Sequence, residues 1–121
     1  MEKLTPQEEE AMRIVWSTGE EVIKTYLERY PEPKPPYTTL ASIIKNLQRK
    51  GYLDARLVGN TYVYKPRISE EEYTSRHLSG IVSTYFDDSY QNLVTFFAKK
   101  QKISTDDLKA IIRLIENDKS N

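Results

Sequence analysis

Apolar positions recur along this chain at helical spacing in six stretches, and only once at the spacing of strands. The first stretch is Ala11, Met12, Val15 and Trp16. Ahead of it, Thr5-Pro6-Gln7-Glu8 has the features of a helix start: a capping threonine, a proline suited to the first turn, and a glutamate placed for a capping box. Gly19 ends this helix. A second apolar face runs through Val22, Ile23, Tyr26, Leu27 and Tyr30. Pro31, Pro33, Pro35 and Pro36 stop it, because proline cannot continue a helix and restricts the residue before it. A third helix is predicted to begin at Thr38 or Thr39, burying Leu40, Ile43, Ile44 and Leu47. At about 100° per residue, Thr38, Ser42, Lys45 and Arg49 fall on its opposite face, flanked by Thr39 and Asn46. Gly51 suits a left-handed helix end.

The pattern then changes. Leu53 to Val58 and Thr61 to Lys65 read as two strands joined by a tight Gly59-Asn60 turn. Beyond Pro66, Ser69-Glu70-Glu71-Glu72 starts a fourth helix with Leu78, Ile81, Val82, Tyr85 and Phe86 on its apolar face. Asp87-Asp88-Ser89 is a polar break, with the acidic pair expected to complement a helix start. A fifth helix carries Leu93, Val94, Phe96 and Phe97, and a polar loop covers Lys99 to Lys102. Ser104 to Asp107 caps a sixth, with Leu108, Ile111, Ile112 and Ile115 on one side, and Asn117 to Asn121 are expected to fray.

The predicted fold is mostly α with a small β-hairpin. Residues 1–67 form an N-terminal winged helix-turn-helix domain, and residues 68–121 a C-terminal three-helix dimerisation domain. A three-helix lobe of this size is marginal alone, and a second copy is the expected completion through two-fold symmetry. Its interface would draw on Leu78, Ile81, Val82, Tyr85, Phe86, Leu93, Phe97, Leu108, Ile111, Ile112 and Ile115.

Charge sharpens this picture. The chain has no net charge, yet residues 34–67 carry seven basic side chains against one acidic, a local +6, while residues 1–33 carry −4 and residues 68–121 carry −2. Concentrated positive charge over a helix and a hairpin points to an anionic partner, and double-stranded DNA fits best. The expected DNA contacts are Thr38, Thr39, Ser42, Lys45, Asn46 and Arg49 on the helix, with Arg56, Asn60 and Lys65 on the hairpin. Two alternatives stay open: a winged-helix module that docks on protein, and a ligand-responsive regulator with an aromatic pocket.

Catalysis finds little support. There is no cysteine and one histidine, His77, with no phosphate-binding glycine loop. No enzyme activity, metal or cofactor is expected. No apolar run approaches the roughly 18 residues of a membrane span, and the N-terminus lacks the apolar segment of a signal peptide, so a cytoplasmic protein without membrane insertion is expected.

Four stretches together carry a family resemblance: Leu4-Thr-x-x-Glu-x-x-x-Met-x-x-x-Trp16, Ile43-Ile-Lys-x-Leu-x-Arg-Lys-Gly51, Val58-Gly-Asn-Thr-Tyr-Val-Tyr-Lys-Pro66 and Ile68-Ser-Glu-Glu-Glu-Tyr73. With these, the chain resembles the penicillinase-repressor family of winged-helix transcriptional repressors, the BlaI/MecI type. The resemblance implies a homodimer on a palindromic operator, typically of β-lactam-resistance genes, and a last lobe that interlocks with its mate. It also implies derepression by proteolysis within that lobe, on a signal from a membrane sensor protease. The family's recognition helix falls on Thr38 to Lys50, and its cleavage bond falls at Phe96-Phe97. The chain departs from the family pattern at three places. Asn46 stands where relatives usually carry arginine, the proline-rich connector replaces an aromatic-serine lead into the helix, and Phe96 replaces the asparagine of the cut bond. The cysteine-rich tail of the copper-responsive branch is missing.

Overall fold

The computed structural model describes residues 2–119, with side chains through residue 117. The chain is mostly helical with one antiparallel hairpin, a winged helix-turn-helix followed by a helical C-terminal part. Its order is α1 (Pro6–Thr18), α2 (Ile23–Glu28), α3 (Tyr37–Arg49), β1 (Leu53–Val58), β2 (Thr61–Pro66), α4 (Glu70–Tyr85), α5 (Tyr90–Lys99) and α6 (Thr105–Lys119). Contacts group Met1–Thr74 and Ser75–Asn121 into two compact units.

In the first unit, local signals and packing agree. Thr5 accepts the Glu8 N–H through its hydroxyl, and Glu8 accepts the Thr5 N–H in return, completing the capping box. Gly19 closes α1 at φ 93°, a left-handed position that disfavours side chains. The core joins Met12 and Val15 of α1, Tyr26 of α2, Leu40, Ile44 and Leu47 of α3, and Leu53 of β1. Two expectations about helix extent are corrected. The second helix is only Ile23–Glu28, and Tyr30 is buried just beyond its end. The third begins at Tyr37, ahead of the expected Thr38 or Thr39, with Pro36 in extended backbone (ψ 150°) as its N-cap.

The hairpin is pinned from outside. β1 and β2 pair from Leu53↔Pro66 to Val58↔Thr61, with Gly59 (φ 63°) and Asn60 as the two-residue turn. Glu21, between α1 and α2, exchanges both backbone hydrogen bonds with Tyr64, at 3.0 and 2.9 Å. The Tyr26 hydroxyl lies 2.6 Å from the Gly19 carbonyl and 2.8 Å from the Tyr64 carbonyl, and accepts the Glu21 N–H at 3.1 Å. Burial pushes its pKa up to about 12, so it stays protonated and can donate. One phenol thus ties the α1–α2 turn to the second strand of the hairpin.

The start of α4 belongs to the first unit, beyond the expected division at residue 67. Trp16 Nε1 donates to the Ile68 carbonyl (2.9 Å), the Tyr73 hydroxyl donates to Glu9 (2.6 Å), and the Tyr73 ring packs on Trp16 with centroids 5.4 Å apart. Ser69 accepts the Glu72 N–H at 3.1 Å.

The second unit is built differently. Among its described residues only Val82 is buried. The Ser89 hydroxyl caps α5 by accepting the Asn92 N–H, and Ser104 and Asp107 form a reciprocal cap on α6. The backbone N–H of Ser104 is the largest cause holding the Asp107 carboxyl below its ordinary pKa. Asp87 and Asp88 do not open a helix as expected. They follow α4 in the left-handed region (φ 51° and 59°), and the Asp88 N–H returns to the Val82 carbonyl. Aspartate tolerates that conformation better than most residues, and this end of α4 has no glycine. α6 continues to Lys119, so residues 117–119 are helical and not frayed, consistent with the absence of glycine or proline there. The remaining two positions of the expected frayed segment, 120 and 121, lie outside the described residues.

Candidate nucleic-acid interface

Helix α3 has two chemically distinct faces. Leu40, Ile44 and Leu47 are fully buried, and Ile43 is partly so. Thr38, Thr39, Ser42, Lys45, Asn46 and Arg49 are all exposed. A helix anchored by one stripe and lined on the other with hydroxyl, amide and cationic groups can bond base edges and phosphates together. Its C-terminal end is fixed to α1 by a buried ion pair, Lys50 Nζ to Glu8 Oε1 at 2.6 Å. Burial pushes the Glu8 pKa up, but the hydrogen bond from Lys50, those from Thr5 and the charge of Lys50 outweigh it and leave the carboxyl below its ordinary value.

The positive segment is partly neutralised within the fold. Arg56 makes a two-pronged contact with Glu20, Nη2 to Oε1 at 2.8 Å and Nε to Oε2 at 3.3 Å. The Arg56 hydrogen bond holds the Glu20 carboxyl below its ordinary pKa. Arg67 binds Asp54 through both Nε and Nη2. Arg49 reaches Glu2 only at 3.7 Å, with both side chains about three-fifths exposed. Among the described residues, Lys34, Lys45 and Lys65 of this segment form no ion pair. The local +6 therefore overstates the free charge. The partners Glu8 and Glu20 lie 42 and 36 positions from their cations, too far for a pattern along the chain to reveal.

Of the expected hairpin contacts, Asn60 is exposed at the turn and Lys65 is exposed on β2. Arg56 is exposed but held by Glu20. A cleft of about 720 Å³ opens between α3 and the hairpin, lined in part by Tyr37, Lys45, Val58, Asn60 and Tyr62. Lys24 of α2 also lines it. Lys24, Tyr37 and Tyr62 were not among the expected contacts. Their exposure as large side chains beside a basic helix becomes visible only once the strand edge is placed next to α3.

The family model for the penicillinase repressor matches residues 4–117, nearly the whole chain. The chain belongs to the penicillinase repressor family. It is 24% identical over 123 aligned positions to the penicillinase repressor of Bacillus licheniformis, covering 98% of this chain and 93% of that one. It is 20% identical over 118 positions to the methicillin resistance regulatory protein MecI of Mammaliicoccus sciuri, covering 93% of each. The match runs through both structural units of this family member, so the C-terminal helices are part of the relationship along with the winged helix.

In the second unit the expected interface residues separate into three groups. Val82 is buried within the single chain. Ile81, Phe86, Leu93 and Leu108 are half-buried. Leu78, Tyr85, Phe97, Ile111, Ile112 and Ile115 are exposed, Tyr85 by 74%. Leu114, three residues beyond Ile111 on the same helix, is also exposed, by 65%. Phe96 and Phe97 lie inside α5, with Phe96 edge-on to Phe86 at 5.6 Å and to Phe97 at 5.3 Å. No described helix is long and apolar enough to cross a membrane.

Proposed function

We propose that this protein is a homodimeric transcriptional repressor that occupies a palindromic DNA operator, with α3 as its recognition helix. The observation that carries this reading is the division of α3: three fully buried leucine and isoleucine side chains on one face and six exposed polar side chains on the other. Thr38, Thr39 and Ser42 near the start of the helix, and Asn46 in its last turn, suit base edges or phosphates, and Lys45 and Arg49 suit phosphates. Asn60 and Lys65 add hairpin contacts. Arg56 joins them only by leaving Glu20. The names of the two relatives point to β-lactam-resistance genes as the regulated set.

Dimerisation through the second unit accounts for its exposed leucine, isoleucine and aromatic side chains, which water penalises and a second copy would cover. Derepression would follow from proteolysis at Phe96-Phe97 by a protease answering a membrane sensor. That bond is helical, so cleavage requires local unwinding of α5. A repressor cut there loses the effective concentration that joins two half-site contacts.

The test is operator selection from a random duplex pool, followed by affinity measurements at several salt concentrations. Lys45→Ala and Arg49→Ala are expected to weaken binding by about tenfold each and to lower the salt slope by about 0.9 per lost phosphate contact and protomer. Both substitutions are at exposed positions and should leave thermal unfolding unchanged. Wild-type affinity in both variants refutes the assignment of α3.

A further inference from the structure

The cleft between α3 and the hairpin has features that the recognition-helix reading does not use. It is bordered by the outer edge of β2. In an antiparallel pair, residues alternate between turning their backbone groups toward the neighbouring strand and turning them away. Tyr64 turns its N–H and carbonyl away from β1, toward Glu21. Tyr62, two residues earlier on the same strand, must turn its own in the same direction, and Glu21 is already used by Tyr64. The Tyr62 N–H therefore faces outward on the edge that borders the cleft.

The side chains there form a consistent set. Tyr37 is 51% exposed, Tyr62 56% and Val58 48%, so all three present apolar surface at the cleft. The phenols of Tyr37 and Tyr62 lie close enough to Tyr64 to add to the upward push that burial gives its pKa. Lys24 and Lys45 line the same cleft, no carboxylate lines it, and neither lysine forms an ion pair among the described residues. The hollow that contains Arg56 and Lys65 is different. It holds Glu20 and Asp54, and its Arg56 is bound to Glu20. Cationic character without compensating acid is thus confined to one side of the hairpin, the side continuous with Lys45 on α3.

We propose that this cleft seats one sugar–phosphate strand of the duplex, with Lys24 and the Tyr62 N–H directed at phosphate and the rings of Tyr37 and Tyr62 packed on deoxyribose. The proposal rests on the DNA-binding reading and deepens it. Charged phosphates and apolar sugar faces match a groove lined by both ammonium groups and tyrosine rings. A base-reading helix alone would leave those rings in water. In this arrangement α2 contributes directly to affinity, and the hairpin acts through its edge and its tyrosines more than through Arg56.

The experiment uses the full-length protein and the inverted-repeat duplex that it selects from a random pool. Lys24→Ala is expected to weaken binding about tenfold and to flatten the salt dependence by about 0.9 per lost phosphate contact and protomer. Tyr62→Ala is expected to weaken binding several-fold with an unchanged salt slope, since sugar packing releases no counterions. Tyr62→Phe keeps the ring and should bind like wild type. The inference is overturned if wild type binds and Lys45→Ala weakens it while Lys24→Ala and Tyr62→Ala both match wild type. Loss of affinity in Tyr62→Phe equal to that in Tyr62→Ala also overturns the assigned ring contact. If wild type selects no duplex at all, the DNA-binding reading and this inference fall together.

Discussion

The two units of this chain treat apolar side chains in opposite ways. The first gathers Met12, Val15, Tyr26, Leu40, Ile44, Leu47 and Leu53 into a closed core, each at 1% exposure or less. The second buries Val82 alone among its described residues and leaves Leu78, Tyr85, Ile112, Leu114 and Ile115 between 47% and 74% exposed. Both contain three helices or helix segments with amphipathic stripes, so helix-forming pattern does not account for the difference. The difference lies in what faces each stripe. In the first unit α3 is met by α1, α2 and the hairpin. In the second, the single chain does not supply enough surface to cover its own helices, which is the condition that a second copy relieves.

Substitutions in the two units can break or sharpen this contrast. The largest effect is expected from Ile112→Asp. Ile112 is 52% exposed in the single chain, so an aspartate there is compatible with the fold of one protomer but not with an apolar contact between two. Sedimentation should show monomers, with operator affinity lower by about 10²–10⁴ through lost effective concentration. A dimeric profile in this variant would remove the reason for treating the second unit as half of a shared core.

Leu47→Ala tests the other side. Leu47 is fully buried on the inner face of α3, so its truncation should cost about 2–5 kcal/mol in chemical unfolding of the first unit. The sedimentation profile below the transition should stay dimeric. A loss below 1 kcal/mol would mean that the first core is looser than its burial indicates.

The smallest effect is expected at the Glu8–Lys50 pair. The folded state holds the Glu8 carboxyl below its ordinary pKa of 4.5. Its stabilising contribution is therefore present above that value and is lost as pH falls through the lower folded pKa. Glu8→Gln keeps an acceptor for the cap but removes the charge. It should cost on the order of 1–3 kcal/mol near neutrality and flatten the stability curve below pH 4.5. An unchanged acid limb would show that other carboxylates control it.

Much of this arrangement is legible along the chain because its causes are local. The Thr5–Glu8 cap, the left-handed glycines at 19, 51 and 59, and the Gly59-Asn60 turn each depend on residues within a few positions of one another. The two-faced character of α3 follows from spacing alone. Long-range pairing is not legible in this way. The charge run from 34 to 67 reads as uniformly available, yet Glu8, Glu20 and Asp54 neutralise Lys50, Arg56 and Arg67. Asp87-Asp88 reads as a helix start, yet the pair closes the helix before it. The ion pairs depend on contacts that the fold creates, whereas the Asp87-Asp88 turn is a local helix end in which the Asp88 N–H returns to the Val82 carbonyl.

The sequence by itself determined which segments are helices, where the hairpin turns, and which side of the third helix is apolar, since backbone preferences and side-chain periodicity act over a few residues. Only the tertiary structure decided which cations remain free, that Tyr26 joins the α1–α2 turn to the hairpin, and that Lys24, Tyr37 and Tyr62 border one cleft. Those facts depend on groups tens of residues apart being brought within a few ångströms, where electrostatics and packing act on distance in space.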